Sequence, residues 1–272
     1  MKSAVQDRLR RIEGKHNPLV KELRVAFVRG ELTRSGACAI EGSRIVEEAL
    51  RSGLRLEALF FSTSAEQKAE RLLPQVGSRV ETVLLPDKLF QSAVPSDTPQ
   101  GVAALVRIKE YSLEDVLSRS PLGILLGMVG VQDPGNLGTI MRSGEAFGAS
   151  GILIGENTVS PFNPKVIRAS AGSIFRLPFA RIKTEDALTR LKQLGIRVLA
   201  TSSHKGTALH NINLREPVAI FIGNEGAGLS RNLVAAMDEV IAIPHAQQVD
   251  SLNAGIAASI VLYEAARQRA QG

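Results

Sequence analysis

Apolar residues fall into two textures along the chain, and the second half is the more regular. Leu122–Val131 is an almost unbroken apolar run, the pattern of a strand buried on both faces. Further strand-like runs follow at Gly151–Ile154, Ile196–Thr201, Val218–Gly223 and Val240–Ile243. Helical spacing fills much of the chain between them. One helix is expected from Leu137 to Phe147, stopped by Gly148, and a last one from about Ser251 to Arg267. Strands and helices alternating in this way predict a mostly parallel sheet with helices on both faces.

Residues 37–107 are finer-grained. Ile40–Leu50 predicts a helix with Ile45, Val46, Ala49 and Leu50 on one side, Ser43 as its N-cap and Glu47 close to the capping-box position. Leu56–Phe61 and Arg79–Leu85 read as short strands around a helix over Ala65–Leu73. Gln100–Ile108 reads as a further strand after the turn-rich Pro95–Pro99. This mixture predicts a small α/β sandwich. The polar stretch 109–120 reads as a connector. The expected organisation is α/β throughout: a leader over 1–36, a first domain over 37–108, a linker over 109–120 and a parallel-sheet domain over 121–272.

Composition narrows the class. The 272 residues are 44% hydrophobic and 22% charged, as in an ordinary globular protein. No stretch approaches the roughly 18 uninterrupted apolar residues of a membrane span. Charges occupy the first fifteen residues where an export signal would be apolar, and Cys38 is the single cysteine, so no intramolecular disulfide or cysteine zinc cage is available. These features together predict a cytoplasmic protein. Residues 1–34 hold nine Lys and Arg against four acids, so most of the net charge of +6 lies there. Such a segment suits phosphate neutralisation, although a solvated helix face explains it equally well. With no Trp and two Tyr, a base-stacking single-strand platform is disfavoured. His16, His204, His210 and His245 are scattered without ligand spacing, and no metal site is expected.

Three segments of the second half carry candidate chemistry, each at or just beyond the carboxyl end of an expected strand, where open α/β sheets bind ligands. The first runs from Asp133 to Arg142. Pro134-Gly135 makes a turn, Asn136 is placed to cap the following helix, and Arg142 points away from that helix's apolar face. Capping alone accounts for Asn136, and a surface cation for Arg142, unless further observations intervene. The second, Phe221–Ser230, is a glycine-rich turn that brings bare backbone close to a ligand. It matches neither nucleotide fingerprint, and nothing structural requires the carboxylate of Glu225 inside it. The third joins Ile243-Pro244-His245 to Asp250-Ser251-Leu252-Asn253, where Asp250 or Ser251 is the expected cap of the last helix.

In order and spacing these segments resemble the SpoU/TrmH family of RNA ribose 2′-O-methyltransferases, within the knotted SPOUT superfamily. N-x-G-x-x-x-R at Asn136–Arg142, G-N-E-G-x-G at Gly223–Gly228 and S-L-N at Ser251–Asn253 look like its three motifs. Residues 37–107, with IEGSRIVEEAL and TPQGV (Thr98–Val102), look like the ribosomal-protein-like RNA-binding domain often fused in front. Two places depart from the family. His245 and Ala246-Gln247-Gln248 stand where Met and Gly usually follow Ile-Pro, and Ala254-Gly255-Ile256 replaces a valine-rich stretch. The resemblance implies a deep trefoil knot, which general topology rules would disfavour, and a homodimer with active sites at the interface. It implies S-adenosyl-L-methionine as cofactor, with the adenosine against Ala200, Thr201, Ser202, Gly223, Asn224, Gly226, Gly228, Ile243 and Leu252. It also implies RNA as partner, large-subunit ribosomal RNA ahead of transfer RNA.

A ribose hydroxyl is a poor nucleophile, so the expected catalytic set must orient it and ease its deprotonation. By the resemblance that set is Arg142, Asn136, Glu225, Ser251 and Asn253. Guanidinium stays protonated in proteins, so Arg142 is expected to stabilise the developing alkoxide and clamp the adjacent phosphate, with the other four positioning it and the ribose. Two rival readings stand beside this one: a catalytically silent RNA-binding or ribosome-assembly factor, and a nucleotide-dependent oxidoreductase, the latter disfavoured by the missing phosphate-binding fingerprint.

Overall fold

The computed structural model describes residues 8–96, 98–119, 123–203 and 205–271. Lys2 and Asp7 of the basic leader, Asp97, the start of the predicted strand at Leu122, and His204 lie outside the described residues. The chain divides into two units. The first comprises residues up to Lys109 together with Ser160–Phe175, and the second holds Glu110–Val159 and the chain from Arg176 onward.

In the first unit, strands β1 (Arg10–Arg11), β2 (Ala37–Glu41), β3 (Leu56–Ser62), β4 (Glu81–Leu85) and β5 (Val102–Arg107) form one sheet in the order β1-β4-β3-β5-β2. β5 runs antiparallel to β3 and β2, while β1, β4 and β3 run parallel. Helix α1 (Pro18–Arg29) is capped by Asn17, whose Oδ1 accepts the Leu19 N–H at 3.0 Å, and stops at Gly30 in the left-handed region. Its Val20, Leu23, Ala26 and Phe27 pack into the same core as Phe60, Phe90 and Leu105. The segment read as a leader over 1–36 is therefore, from Arg10 onward, built into this unit. Of its described cations, Lys21, Arg24 and Arg29 lie on α1, Arg10 and Arg11 form β1, and Arg8 donates to the carbonyls of Leu73 and Val76.

Helix α2 (Ser43–Arg51) begins three residues later than expected, because Ile40 and Glu41 belong to β2. Gly42, at φ 104°, takes the N-cap position and makes no side-chain cap; the Ser43 hydroxyl is buried without a partner, and Glu47 pairs with Arg71 rather than closing a capping box. All five residues of β2 are buried, so the period-2 alternation that marks a half-exposed strand is missing there. Cys38 lies within β2, and burial pushes its thiol well above its ordinary range, leaving it neutral. Helices α3 (Gln67–Leu72) and α4 (Asp87–Ala93) complete this part of the unit.

The second unit opens with α5 (Leu113–Arg119), inside the stretch expected to be a linker over 109–120. Val116 is fully buried and touches the backbone at Gly151, so this segment is a helix docked on its unit. Only two of its residues are buried apolar ones, too few for a helical period to stand out. Strands β6 (Ile124–Met128), β7 (Gly151–Ile154), β8 (Phe179–Arg181), β9 (Arg197–Ser202), β10 (Thr207–Ala208), β11 (Val218–Ile222) and β12 (Glu239–Ala242) form an all-parallel sheet in the order β10-β12-β9-β11-β6-β7-β8. The helices of this stretch are α6 (Pro134–Ala146), α7 (Pro164–Ala169), α8 (Thr184–Gln193), α9 (Arg231–Ala235) and α10 (Ala254–Ala270).

Of these, α7 groups with the first unit rather than with the expected 121–272 domain. Val166 and Ile167 are buried there, and Arg168 pairs at 3.0 Å with the buried Glu41, a carboxylate that needs a charged partner.

Chain order explains the crevice in the sheet. From β6 the chain builds outward through β7 and β8, then crosses to the other side. There β11 sits between β9 and β6. The switch in direction falls at β6 and β11, and a ligand crevice is expected outside their carboxyl ends. Helices α6 and α10 pack together above this edge. Ser143 and Ser259 hydroxyls meet at 2.7 Å, and a Cβ at Gly255 would lie 3.2 Å from Thr139.

Candidate active site

The glycine-rich loop leaves β11 through Gly223, which is buried; a Cβ there would overlap the backbone of Gly228 and Leu229. Asn224 and Gly228 then close the loop by exchanging backbone hydrogen bonds, Asn224 N–H to Gly228 O at 3.2 Å and Gly228 N–H to Asn224 O at 2.9 Å. The turn requires φ 66° at Gly228, a conformation glycine adopts without strain. The Asn224 side chain is wholly occupied in holding this shape. Its Oδ1 accepts the N–H groups of Gly226 and Ala227 at 2.9 and 3.0 Å, and its Nδ2 donates to the Gly130 carbonyl at 2.9 Å. The Gly130 N–H is in turn held by Thr158 Oγ1 and the Glu156 carbonyl. The loop is thereby tied to the end of β6.

Helix α6 starts at Pro134 and is capped by Asp133, whose Oδ1 accepts the Asn136 N–H at 2.8 Å. Asn136 is thus not the cap: with proline as the first helical residue the cap falls one position earlier. That frees its side chain, which is buried to 7% exposure. Asn136 Nδ2 donates to Glu225 Oε1 at 2.9 Å, and Asn253 Nδ2 donates to Asn136 Oδ1 at 2.8 Å. Asn253 Oδ1 accepts the N–H groups of Gly255 and Ile256, so it caps α10 in place of the expected Asp250 or Ser251. The three orientations enforce one another. An ionised carboxylate only accepts, so Asn136 must turn its amino group to Glu225; its oxygen then requires an amino group from Asn253. The motifs at 136, 225 and 253 meet in one polar chain.

Beside this chain lies a cavity of about 790 Å³, bounded by the carboxyl ends of β9, β11 and β12, the glycine-rich loop and the start of α10. Of the residues expected to hold a cofactor, Thr201, Ser202, Gly223, Asn224, Gly226, Gly228, Ile243 and Leu252 line it. Ala200 does not: it is fully buried within β9, facing the core under the sheet. Of the expected catalytic set, Glu225 and Ser251 are on the cavity wall, and Asn136 and Asn253 reach it through Glu225. Arg142 stands apart. It is exposed, lies six residues beyond Asn136 on α6, outside the cavity lining, and has no partner among the described residues.

The loop after β12 is braced by His245, one of the departures in sequence. Its Nδ1 lies 2.7 Å from the Ile243 carbonyl and its Nε2 3.2 Å from the Val249 carbonyl. Sequence reasoning did not single out Asp133, Gly130 or Thr158, nor the two cavity cations Lys205 and Arg231. Gly130 and Thr158 act through partners 28 and 94 residues away, whereas Asp133 caps its helix through Asn136, three residues on, and the two cations reach the cavity only through the packing of the sheet.

A family model for the SpoU rRNA methylase family matches residues 123–263, just over half of the chain. The chain belongs to the SpoU rRNA methylase family. A second model, for an MRM3-like substrate binding domain, matches residues 17–104, starting at the cap of α1 and so including most of the expected leader. This SpoU chain is 32% identical to the 23S rRNA (guanosine(2553)-2'-O)-methyltransferase RlmP of Bacillus subtilis, over 94% of its own length and 98% of the relative's. It is 31% identical to the 23S rRNA (uridine(2479)-2'-O)-methyltransferase of Streptomyces viridochromogenes, over 90% and 87% of the two chains. An AdoMet-bound rRNA methyltransferase structure from Sinorhizobium meliloti superposes with a TM-score of 0.83 at 30% identity, covering 96% of this SpoU chain and 98% of that one. The parallel-sheet domain is therefore a SPOUT-type methyltransferase domain preceded by a separate α/β domain.

Proposed function

We propose that this chain transfers a methyl group from S-adenosylmethionine to a ribose 2′-hydroxyl of large-subunit ribosomal RNA. The observation that carries this reading is the Glu225–Asn136–Asn253 chain on the wall of the 790 Å³ cavity. The cavity is of the size that small-molecule cofactors occupy. Its glycines suit a cofactor held by backbone: a Cβ at Gly228 would meet nothing within 4 Å, and one at Gly226 only Asn224 Oδ1 at 3.6 Å. Thr201, Ser202, Gly223–Gly228, Ile243 and Leu252 are the residues to hold it. The bound cofactor supplies an electrophilic sulfonium methyl.

The chain's own residues orient and stabilise. Asn136, Glu225, Ser251 and Asn253 position the ribose, with the Asn136 and Asn253 amides locked by their hydrogen bonds to Glu225 and to each other. Arg142 acts by charge, stabilising the developing alkoxide and clamping the neighbouring phosphate, because a guanidinium stays protonated. Since Arg142 lies outside its own chain's cavity, we read the active form as a homodimer in which Arg142 of one copy reaches the cavity of the other. Ile256 and Tyr263, 53% and 56% exposed on α10, suit burial in that contact. The same reading includes a deep trefoil knot, supported by the insertion of β11 between two earlier strands, and a cytoplasmic location.

Transfer of radiolabelled methyl from S-adenosylmethionine to total RNA from cells lacking the protein, resolved by size and digested to nucleosides, tests this. A labelled 2′-O-methylnucleoside in large ribosomal RNA is expected. Label confined to transfer RNA would keep the chemistry and overturn the substrate; no label in any fraction would favour a silent RNA-binding factor.

A further inference from the structure

Two cations on the cavity wall are left without a structural task. Most arginines of the second unit are tethered. Arg176, Arg181, Arg190, Arg197 and Arg267 pair with carboxylates, and Arg269 with backbone carbonyls. Arg142 and Arg231 have no partner among the described residues, nor does the ammonium of Lys205. Arg231 and Lys205 both line the cavity. The cavity's one acidic side chain among the described residues, Glu225, already accepts from Asn136, so neither cation is neutralised within the site.

The backbone beneath each cation is held in place. A Cβ at Gly206 would overlap the Val240 carbonyl, so the turn bearing Lys205 is pressed onto β12, and the Lys205 N–H faces Ser202 Oγ at 3.4 Å. Arg231 opens α9, whose cap Ser230 accepts the Leu233 N–H at 3.3 Å. Two unpaired cations on a cavity whose one acid among the described residues is already engaged call for an anion.

We infer that Lys205 and Arg231 form a subsite for the carboxylate of the cofactor's amino-acid tail, an assignment that rests on the cofactor reading above. The nucleoside end of such a cofactor is uncharged and suits the apolar and bare-backbone walls at Ile222, Ile243 and Leu252. The carboxylate is the one group on the molecule that needs cations. A guanidinium can meet it with two parallel N–H donors, and the lysine adds a point charge.

Calorimetric titration of the full-length protein with two ligands tests the subsite. S-adenosylhomocysteine carries the carboxylate; 5′-methylthioadenosine is the corresponding nucleoside thioether without the amino-acid tail. Lys205→Met and Arg231→Met are each expected to weaken S-adenosylhomocysteine about tenfold and leave 5′-methylthioadenosine within about twofold. Lys205→Arg and Arg231→Lys should recover part of the loss, and added salt should weaken S-adenosylhomocysteine more in the wild type than in the methionine variants. Unchanged S-adenosylhomocysteine affinity in both methionine variants overturns the subsite, and a raised KM for RNA in the same variants would reassign the cations to an RNA phosphate. Equal loss of both ligands also overturns it, as the mark of a distorted loop. A wild-type protein that binds neither ligand overturns the cofactor reading itself.

Discussion

Replacing Asn224 by aspartate exchanges one amino group for an oxygen and leaves the shape of the side chain unchanged. The two roles of Asn224 are separable by this change. Its Oδ1 accepts from Gly226 and Ala227 N–H, which aspartate does at least as well; its Nδ2 donates to Gly130 O at 2.9 Å, which aspartate reverses into an oxygen facing an oxygen. Loss of one neutral hydrogen bond costs about 1 kcal/mol, and leaving a partly buried carbonyl opposite a carboxylate adds at least as much. The expected sum is about 2 kcal/mol, or roughly thirtyfold in any equilibrium that requires the closed loop. Asn224→Ala loses the donor without adding repulsion, and its exposed Gly226 and Ala227 N–H groups turn to water, so its cost is nearer 1 kcal/mol. Titration calorimetry with S-adenosylhomocysteine should therefore rank wild type above Asn224→Ala and Asn224→Asp last. An Asn224→Asp protein that binds like the wild type would show that the tie to Gly130 does not hold the loop.

Arg142→Ala should reduce methyl transfer by at least about a hundredfold while leaving S-adenosylhomocysteine affinity within about twofold; lost cofactor binding would remove Arg142 from its assigned role. Gly223→Ala places a methyl group against backbone rather than a flexible side chain, so it should cost about 1–3 kcal/mol and lower the melting midpoint by several degrees; an unchanged melt would refute the close approach. Glu264 accepts from Arg267, which holds its carboxyl down to about 2, below its ordinary 4.5. Its ionised form therefore stabilises the fold at and above pH 4.5, and the benefit fades as pH falls towards 2. Urea unfolding should show Glu264→Gln less stable than wild type at pH 7, with the gap closing below about pH 4.5; a gap constant down to pH 2.5 would contradict this.

Much of the second unit is legible in one dimension. Fully buried parallel strands require continuous apolar runs, and the strands at Gly151–Ile154 and Val218–Ile222 fall within a residue of those runs. The motif glycines are legible for a similar reason, since a close backbone approach at Gly223 and a positive φ at Gly228 exclude most side chains. Short or atypically buried elements escape this logic. The three-residue β8 is too short to show a period, β2 is buried along its whole length, and α5 hides its two buried residues in a polar stretch.

By itself the sequence determined which residue types could serve the site and in what order they occur, because those constraints act on the local backbone. The tertiary structure alone decided who meets whom. Asn136 and Asn253 are 117 residues apart, and Asn136 and Glu225 are 89 apart. They form one chain only because β11 is placed beside β6 and α10 lies against α6. The same packing gives the α10 cap to Asn253 instead of Asp250 or Ser251, binds Asn224 to Gly130, keeps Arg142 out of its own cavity and leaves Lys205 and Arg231 on that cavity's wall. A hydrogen-bond partner or an unpaired charge is set by three-dimensional proximity, and no local pattern of apolar and polar residues encodes it.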